Sequence, residues 1–228
     1  YKQGILLRRY RDGETAIQGT LEDYSFLLQG LLDLYEASFD PSLLPRAVQL
    51  ARQMVELFWD KQEGGFFLNS SSQELIVRVK EAYDGPTPSG NSVATLDLLR
   101  LWEMTGDEGL RGMAEATIKL FGERLENEPT AHTFMLMVVD FLLGPRKEVV
   151  VVDSRIDRAS PLIREIQSRF LPNKVVVLLS GNSTVAEISH LVEGKVMVGG
   201  KPTAYICENF ACKNPINEVT ALRNELGQ

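Results

Sequence analysis

The side chains best suited to chemistry gather in a few short segments. Glu22-Asp23-Tyr24 places two carboxyls and a phenol where an apolar-periodic stretch begins. Paired carboxylates at such a point can do acid and base work on a sugar, with Asp23 and Glu22 as the candidate catalytic pair and Tyr24 as a binding group. Acids in a first helical turn also complement the helix dipole and cap free N–H groups, which is their simpler use. The loop Asp84-Gly85-Pro86-Thr87-Pro88-Ser89-Gly90-Asn91-Ser92 is the richest stretch. Its prolines stiffen it, its glycines permit unusual backbone angles, and Asp84, Ser89 and Asn91 are candidates to hold hydroxyl or anionic groups. Its alternative is a capped helix entry with Asn91 or Ser92 as the N-cap. Trp59-Asp60 and Gly64-Gly65-Phe66-Phe67 offer an aromatic ring, Phe66, to the C–H face of a sugar; the other reading is a helix end, a tight turn and a core-facing hairpin.

Other reactive types are sparse. His132 and His190 are the two histidines, and neither has Cys, Asp or His at metal-ligand spacing. They read as structural, which leaves no metal site and no Ser-His-Asp triad. Cys207 and Cys212 are spaced C-x4-C, unlike the C-x-x-C of redox catalysts, and are expected to be reduced. A functional role for that pair is a third reading. Gly181-Asn182-Ser183-Thr184 lacks both the dinucleotide fingerprint and the P-loop lysine, and reads as a turn. No motif asks for a cofactor.

The chain that must position these groups has 228 residues, 44% hydrophobic and 24% charged, enough for one large domain or two smaller ones. That composition excludes a disordered chain, and two cysteines exclude a disulfide-stapled scaffold. The longest apolar stretch, Phe134 to Leu143, is too short to span a membrane and is interrupted by Asp140. A net charge of −7 argues against a general nucleic-acid or anionic-membrane binder. No secretory signal pattern opens the sequence, so a cytoplasmic location is expected. Charge is uneven: residues 1–145 carry 13 Lys+Arg against 22 Asp+Glu, whereas residues 146–228 carry 11 against 9.

Periodicity divides the chain at the same point. Thr20 with Asp23 forms a capping box, and Leu21, Tyr24, Leu28, Leu31 and Tyr35 follow at helical spacing. Pro41-Ser42 opens a second helix. Phe66–Leu68 and Leu75–Val79 read as a hairpin across Asn69–Ser72. Helices follow from about Ser92 to Met104 and on to about Leu125, with Gly106-Asp107 as stop and restart. The fifth, from Thr130 to Leu143, is apolar almost all round and is expected to be deeply buried. After Gly144-Pro145 two β-branched runs, Glu148–Asp153 and Lys174–Leu179, flank a helix opened by Ser160-Pro161, the pattern of a β-α-β unit with buried strands. A weaker strand, Ala204–Cys207, and a terminal helix from about Pro215 complete it. The fold expected is mainly α, with a helical unit over 1–145 and a small α/β unit over 146–228.

Several segments, in order, resemble one family: Leu21-Glu22-Asp23-Tyr24-Ser25-Phe26-Leu27, Trp59-Asp60 with Gly64-Gly65-Phe66-Phe67, Pro88-Ser89-Gly90-Asn91-Ser92, Tyr205-Ile206-Cys207 and Cys212-Lys213-Asn214-Pro215. Together they look like the C-terminal part of the YyaL or spermatogenesis-associated protein 20 family. The resemblance implies part of an α/α toroid of the six-hairpin glycosidase type, similar to sugar-active enzymes, in a longer protein with a thioredoxin-like domain. A carbohydrate ligand and the missing N-terminal part of the same protein are then the implied partners. The other reading is a non-catalytic scaffold or interaction module. Alone, such a segment is expected to expose apolar helix faces and self-associate.

Overall fold

A computed structural model describes residues 4–70, 76–154, 160–181, 183–208 and 211–227. Among them the chain is mainly helical. It opens with a two-stranded antiparallel hairpin, β1 (Leu7–Arg11) and β2 (Glu14–Gln18), joined by Asp12-Gly13. Asp12 and Gly13 take φ 52° and 84°, the left-handed geometry that a two-residue hairpin turn needs.

Helix α1 (Leu21–Ser38) starts at Thr20, whose backbone N–H donates to the Asp23 carboxylate at 2.8 Å, as its sequence predicts. Helix α2 (Leu43–Phe58) packs back on it. Helix α3 (Gly90–Thr105) ends on Gly106, φ 75°, and Asp107 caps α4 (Glu108–Asn127) by accepting from the Gly109 N–H at 2.9 Å. Helix α5 (Thr133–Leu143) closes the helical series. α1, α3 and α5 lie side by side, with α2 paired to α1 and α4 to α3.

The burial pattern corrects one expectation. α3, not α5, is the deeply buried helix: every residue except Leu96 and Thr105 is sealed. On α5 only Met135, Val138 and Phe141 are buried, while Leu136, Met137 and Leu143 are exposed. α3 has neighbours on both sides, whereas α5 packs mainly on α3 and less on α4, so its apolar composition exceeds the apolar surface available to it. Within the shared core, each fully buried Leu or Phe contributes about 1.5–3 kcal/mol through area removed from water.

Of the expected hairpin across 69–72, Leu68 N–H donates to the Val79 carbonyl at 2.8 Å and so joins the two runs, while Phe66 bridges Trp59. Leu75 and the Ser71-Ser72 part of the turn lie outside the described residues.

The β-α-β unit is as its sequence predicts. β3 (Lys147–Val152) and β4 (Lys174–Leu179) are parallel, and α6 (Pro161–Gln167) crosses between them from the Ser160-Pro161 start. α7 (Val185–Ile188) is a single turn, followed by β5 (Thr203–Glu208), the short β6 (Ala211–Cys212) and α8 (Val219–Leu226). The sheet order is β4-β3-β5-β6, with β5 antiparallel to both neighbours. Of the Gly181–Thr184 segment, Asn182 lies outside the described residues. No helix of the described residues is long and apolar enough to cross a membrane.

Candidate functional site

At one end of the helical unit the starts of α1 and α3 meet the 64–68 segment, and the start of α5 meets Ala82 and Asp84. Gly90 allows the closest approach: a Cβ there would stand 2.9 Å from the Leu21 side chain and 3.2 Å from Glu22 N. The residues singled out in the sequence are therefore brought near one another. The polar atoms of Tyr24, Asp84, Ser89 and Asn91, however, are turned to the backbone.

Asn91, 1% exposed, accepts from the Phe66 N–H at 2.7 Å through Oδ1 and donates through Nδ2 to the Phe66 and Glu81 carbonyls at 2.9 and 2.8 Å. One amide thus satisfies three backbone groups of two other segments. Phe66 is fully buried, edge-on to Trp59 with ring centroids 5.0 Å apart. Ser89, rather than Asn91 or Ser92, caps α3: its Oγ accepts from the Ser92 N–H at 3.1 Å. Helix α3 begins before Asn91, so that side chain is free to reach sideways.

Asp84 caps a helix far away in sequence. Its Oδ2 accepts from the N–H groups of Phe134 and Met135, each at 2.9 Å, while Oδ1 accepts from the Ser89 N–H at 2.9 Å. The first turn of α5 has no cap of its own, and Asp84 supplies the missing acceptor from the 84–89 loop. Beside it the buried His132 holds the Ala82 carbonyl through Nδ1 at 2.7 Å.

At α1, Asp23 closes the capping box and lies 3.4 Å from the Arg8 guanidinium; Glu22, half-buried, lies 3.7 Å from it. The Tyr24 ring is buried edge-on to Phe58 at 5.2 Å, and its hydroxyl accepts from the Leu6 N–H at 3.1 Å. Tyr24 therefore ties β1 to α1. Tyr24→Phe should cost about 1 kcal/mol, with faster amide exchange at Leu6 as its local signature; unchanged exchange there would contradict this assignment.

A cleft of about 450 Å³ opens elsewhere, where Val48 and Arg52 of α2 face Leu101, Asp107, Leu110 and Ile188. None of the candidate residues lines it.

The structure adds charged groups that the sequence reading passed over. Asp97, Arg100 and Glu103, the charged residues of α3, recur every third residue, a spacing that places them along one side of the helix. Arg100 donates to Asp33 at 2.7 Å and reaches Glu36 at 3.4 Å. Asp97 has no hydrogen-bond partner among the described residues, and burial pushes its carboxyl well above the usual carboxylate range. Glu103 accepts from Arg146 Nε at 2.5 Å; burial, opposed by Arg146 and assisted by Glu148, pushes it up to about 7. Among the described residues no group of three or more His, Cys, Asp or Glu could hold a metal ion.

Cys207 and Cys212 are not reduced: they form a disulfide. They are register partners on β5 and β6, with Cα atoms 3.9 Å apart, so the C-x4-C spacing becomes a direct cross-strand pairing.

These features define a helical-hairpin protein with an α/β unit, whose loop-borne polar residues cap helices and hold neighbouring backbone. The chain is 34% identical over 213 residues to spermatogenesis-associated protein 20 of Homo sapiens, covering 91% of the chain and 27% of that protein. The Mus musculus protein of the same name is 34% identical over 215 residues. An uncharacterised protein of Caenorhabditis elegans is 30% identical over 214 residues, 92% of the chain and 29% of its own length. Homologues at 34% identity along about 92% of the chain are thus spermatogenesis-associated protein 20, and the chain spans about 27% of their length. No family model matches it.

Proposed function

We propose that this chain is a non-catalytic scaffold segment: an arc of an α/α toroid over 1–145 and an α/β unit over 146–228, built to pack against the remainder of a longer protein. One observation carries the reading. The polar residues at the helix starts are spent on caps and backbone, while apolar side chains stay exposed on the flanking helices, Phe26, Leu27 and Leu34 on α1 and Leu136, Met137 and Leu143 on α5. Scattered exposed apolar residues are ordinary, but helices with several each suit a surface that another element covers.

Two measurements test this reading. In sedimentation the chain should self-associate, and Leu136→Glu with Met137→Glu should shift it toward monomer; a monomer at high concentration would contradict the exposed-face argument. In a thermal-shift screen of monosaccharides and short oligosaccharides, no stabilisation is expected. Stabilisation abolished by Asp23→Ala would instead restore a carbohydrate-binding role.

A further inference from the structure

A lateral row of side chains crosses the sheet: Glu148 on β3 is the register partner of Cys207 on β5, which is the partner of Cys212 on β6. Directly opposed residues of antiparallel strands project from the same face with Cβ atoms about 5 Å apart. Glu148 thus projects from the same sheet face as Cys207, and it also interacts with Glu103 of α3. The two sulfurs differ in surroundings. Cys207 is 1% exposed, whereas Cys212 lies open on the two-residue edge strand. The bond spans a sequence separation of only 5, and closing so short a loop removes little freedom from the unfolded chain. It is poorly suited to be a staple, and its neighbours suggest chemistry.

We propose that Cys207–Cys212 is a thiol–disulfide exchange site, opened by an external dithiol at the exposed sulfur of Cys212, with the buried Glu103–Glu148 carboxyl pair serving the proton of Cys207. A thiolate of the dithiol attacks Cys212 Sγ and forms a mixed disulfide. The Cys207–Cys212 bond breaks, its electron pair leaves on Cys207 Sγ, and that buried sulfur takes a proton from the Glu103–Glu148 pair. The second thiolate of the dithiol then attacks its own partner sulfur, releasing Cys212 as a thiolate that is protonated from water. The protein disulfide is reduced to two thiols and the dithiol is oxidised to a disulfide; solvent reprotonates the carboxyl. A buried thiolate is costly, so a neighbouring proton donor matters at Cys207 and not at Cys212. The groups that set the donor are Glu103, which with Glu148 makes a buried carboxyl pair, Arg146, which binds Glu103, and Lys195, whose charge acts on Glu148. This inference is independent of the scaffold reading.

The test uses the folded chain and dithiothreitol without denaturant, with free thiols counted over time. Both thiols should appear while the far-ultraviolet circular dichroism is kept. Glutathione followed by acid quench should leave its adduct on Cys212. Glu148→Gln should slow reduction about tenfold or more and flatten its pH dependence between about pH 6 and 8. If that variant does not fold, Glu103→Gln should show the same flattening. Thiols that appear only in urea, or an adduct on Cys207, would overturn the exchange site. Reduction of either folded glutamine variant at the wild-type rate and pH profile would overturn the proton role.

Discussion

Replacing Asn91 by alanine lowers the unfolding free energy by about 4 kcal/mol, read from urea denaturation, the largest loss expected from any single candidate residue. The magnitude follows from what the amide holds. Phe66 N–H, Phe66 carbonyl and Glu81 carbonyl all bond to Asn91, and none gains a substitute when the side chain is cut back. Each stranded buried group costs about 1–3 kcal/mol, and partial entry of water keeps the sum below its ceiling. Asn91→Asp is a sharper probe. It keeps the acceptor for Phe66 N–H, loses both donated bonds and adds a buried charge, so it should be destabilising and more so as pH rises. Ser89→Ala, which removes one helix cap, should cost only about 1 kcal/mol. If Asn91→Ala costs less than Ser89→Ala, the amide is not the tie described, and its place at a helix start would again favour ligand binding.

That ranking shows where sequence reasoning reaches and where it stops. The capping box at Thr20 and Asp23, the Gly106-Asp107 junction and the β-α-β unit were legible because each is set by residues close in sequence or by strict periodicity. The partners of Asp84 were not, because Phe134 and Met135 lie about 50 residues away and no local pattern announces a borrowed cap. Asn91 carries the same limit: a polar residue in a stiff loop reads alike whether it faces a ligand or a buried backbone. Two other features left signals. Asp12-Gly13 is the dipeptide of a two-residue turn, but its strands are polar and exposed and show no apolar alternation. The three-residue spacing of Asp97, Arg100 and Glu103 marked one side of α3 as charged, but the partners of Arg100 and Glu103 lie far off in sequence, at Asp33, Glu36 and Arg146. The depth of α5 was misjudged because composition reports what a helix could bury, while neighbours decide what it does bury.

Asp97→Asn should stabilise the protein at pH 8, read as a higher urea midpoint than wild type at that pH. Asp97 is wholly buried, and neither carboxylate oxygen has a hydrogen-bond partner among the described residues. Desolvation raises it first; Arg100 opposes and Asp33 assists. Arg100 directs its hydrogen bonds to Asp33 and Glu36 instead, so its charge offsets only part of the burial cost. The sign of the pH dependence follows. The folded chain holds this proton to higher pH than the unfolded chain does, so folding takes up a proton, and the contribution is fully present below the ordinary value of 3.8 and is lost as pH rises toward the folded value. Glu103, raised from 4.5 to about 7, acts in the same direction and remains in the variant. Wild type and variant should therefore both lose stability from pH 4.5 to pH 7, with the wild type falling further and the gap widening upward. Parallel curves, or a variant weaker at pH 8, would mean that Asp97 is ionised and stabilised by Arg100. The widening gap instead requires a carboxyl that α3 keeps neutral at a cost.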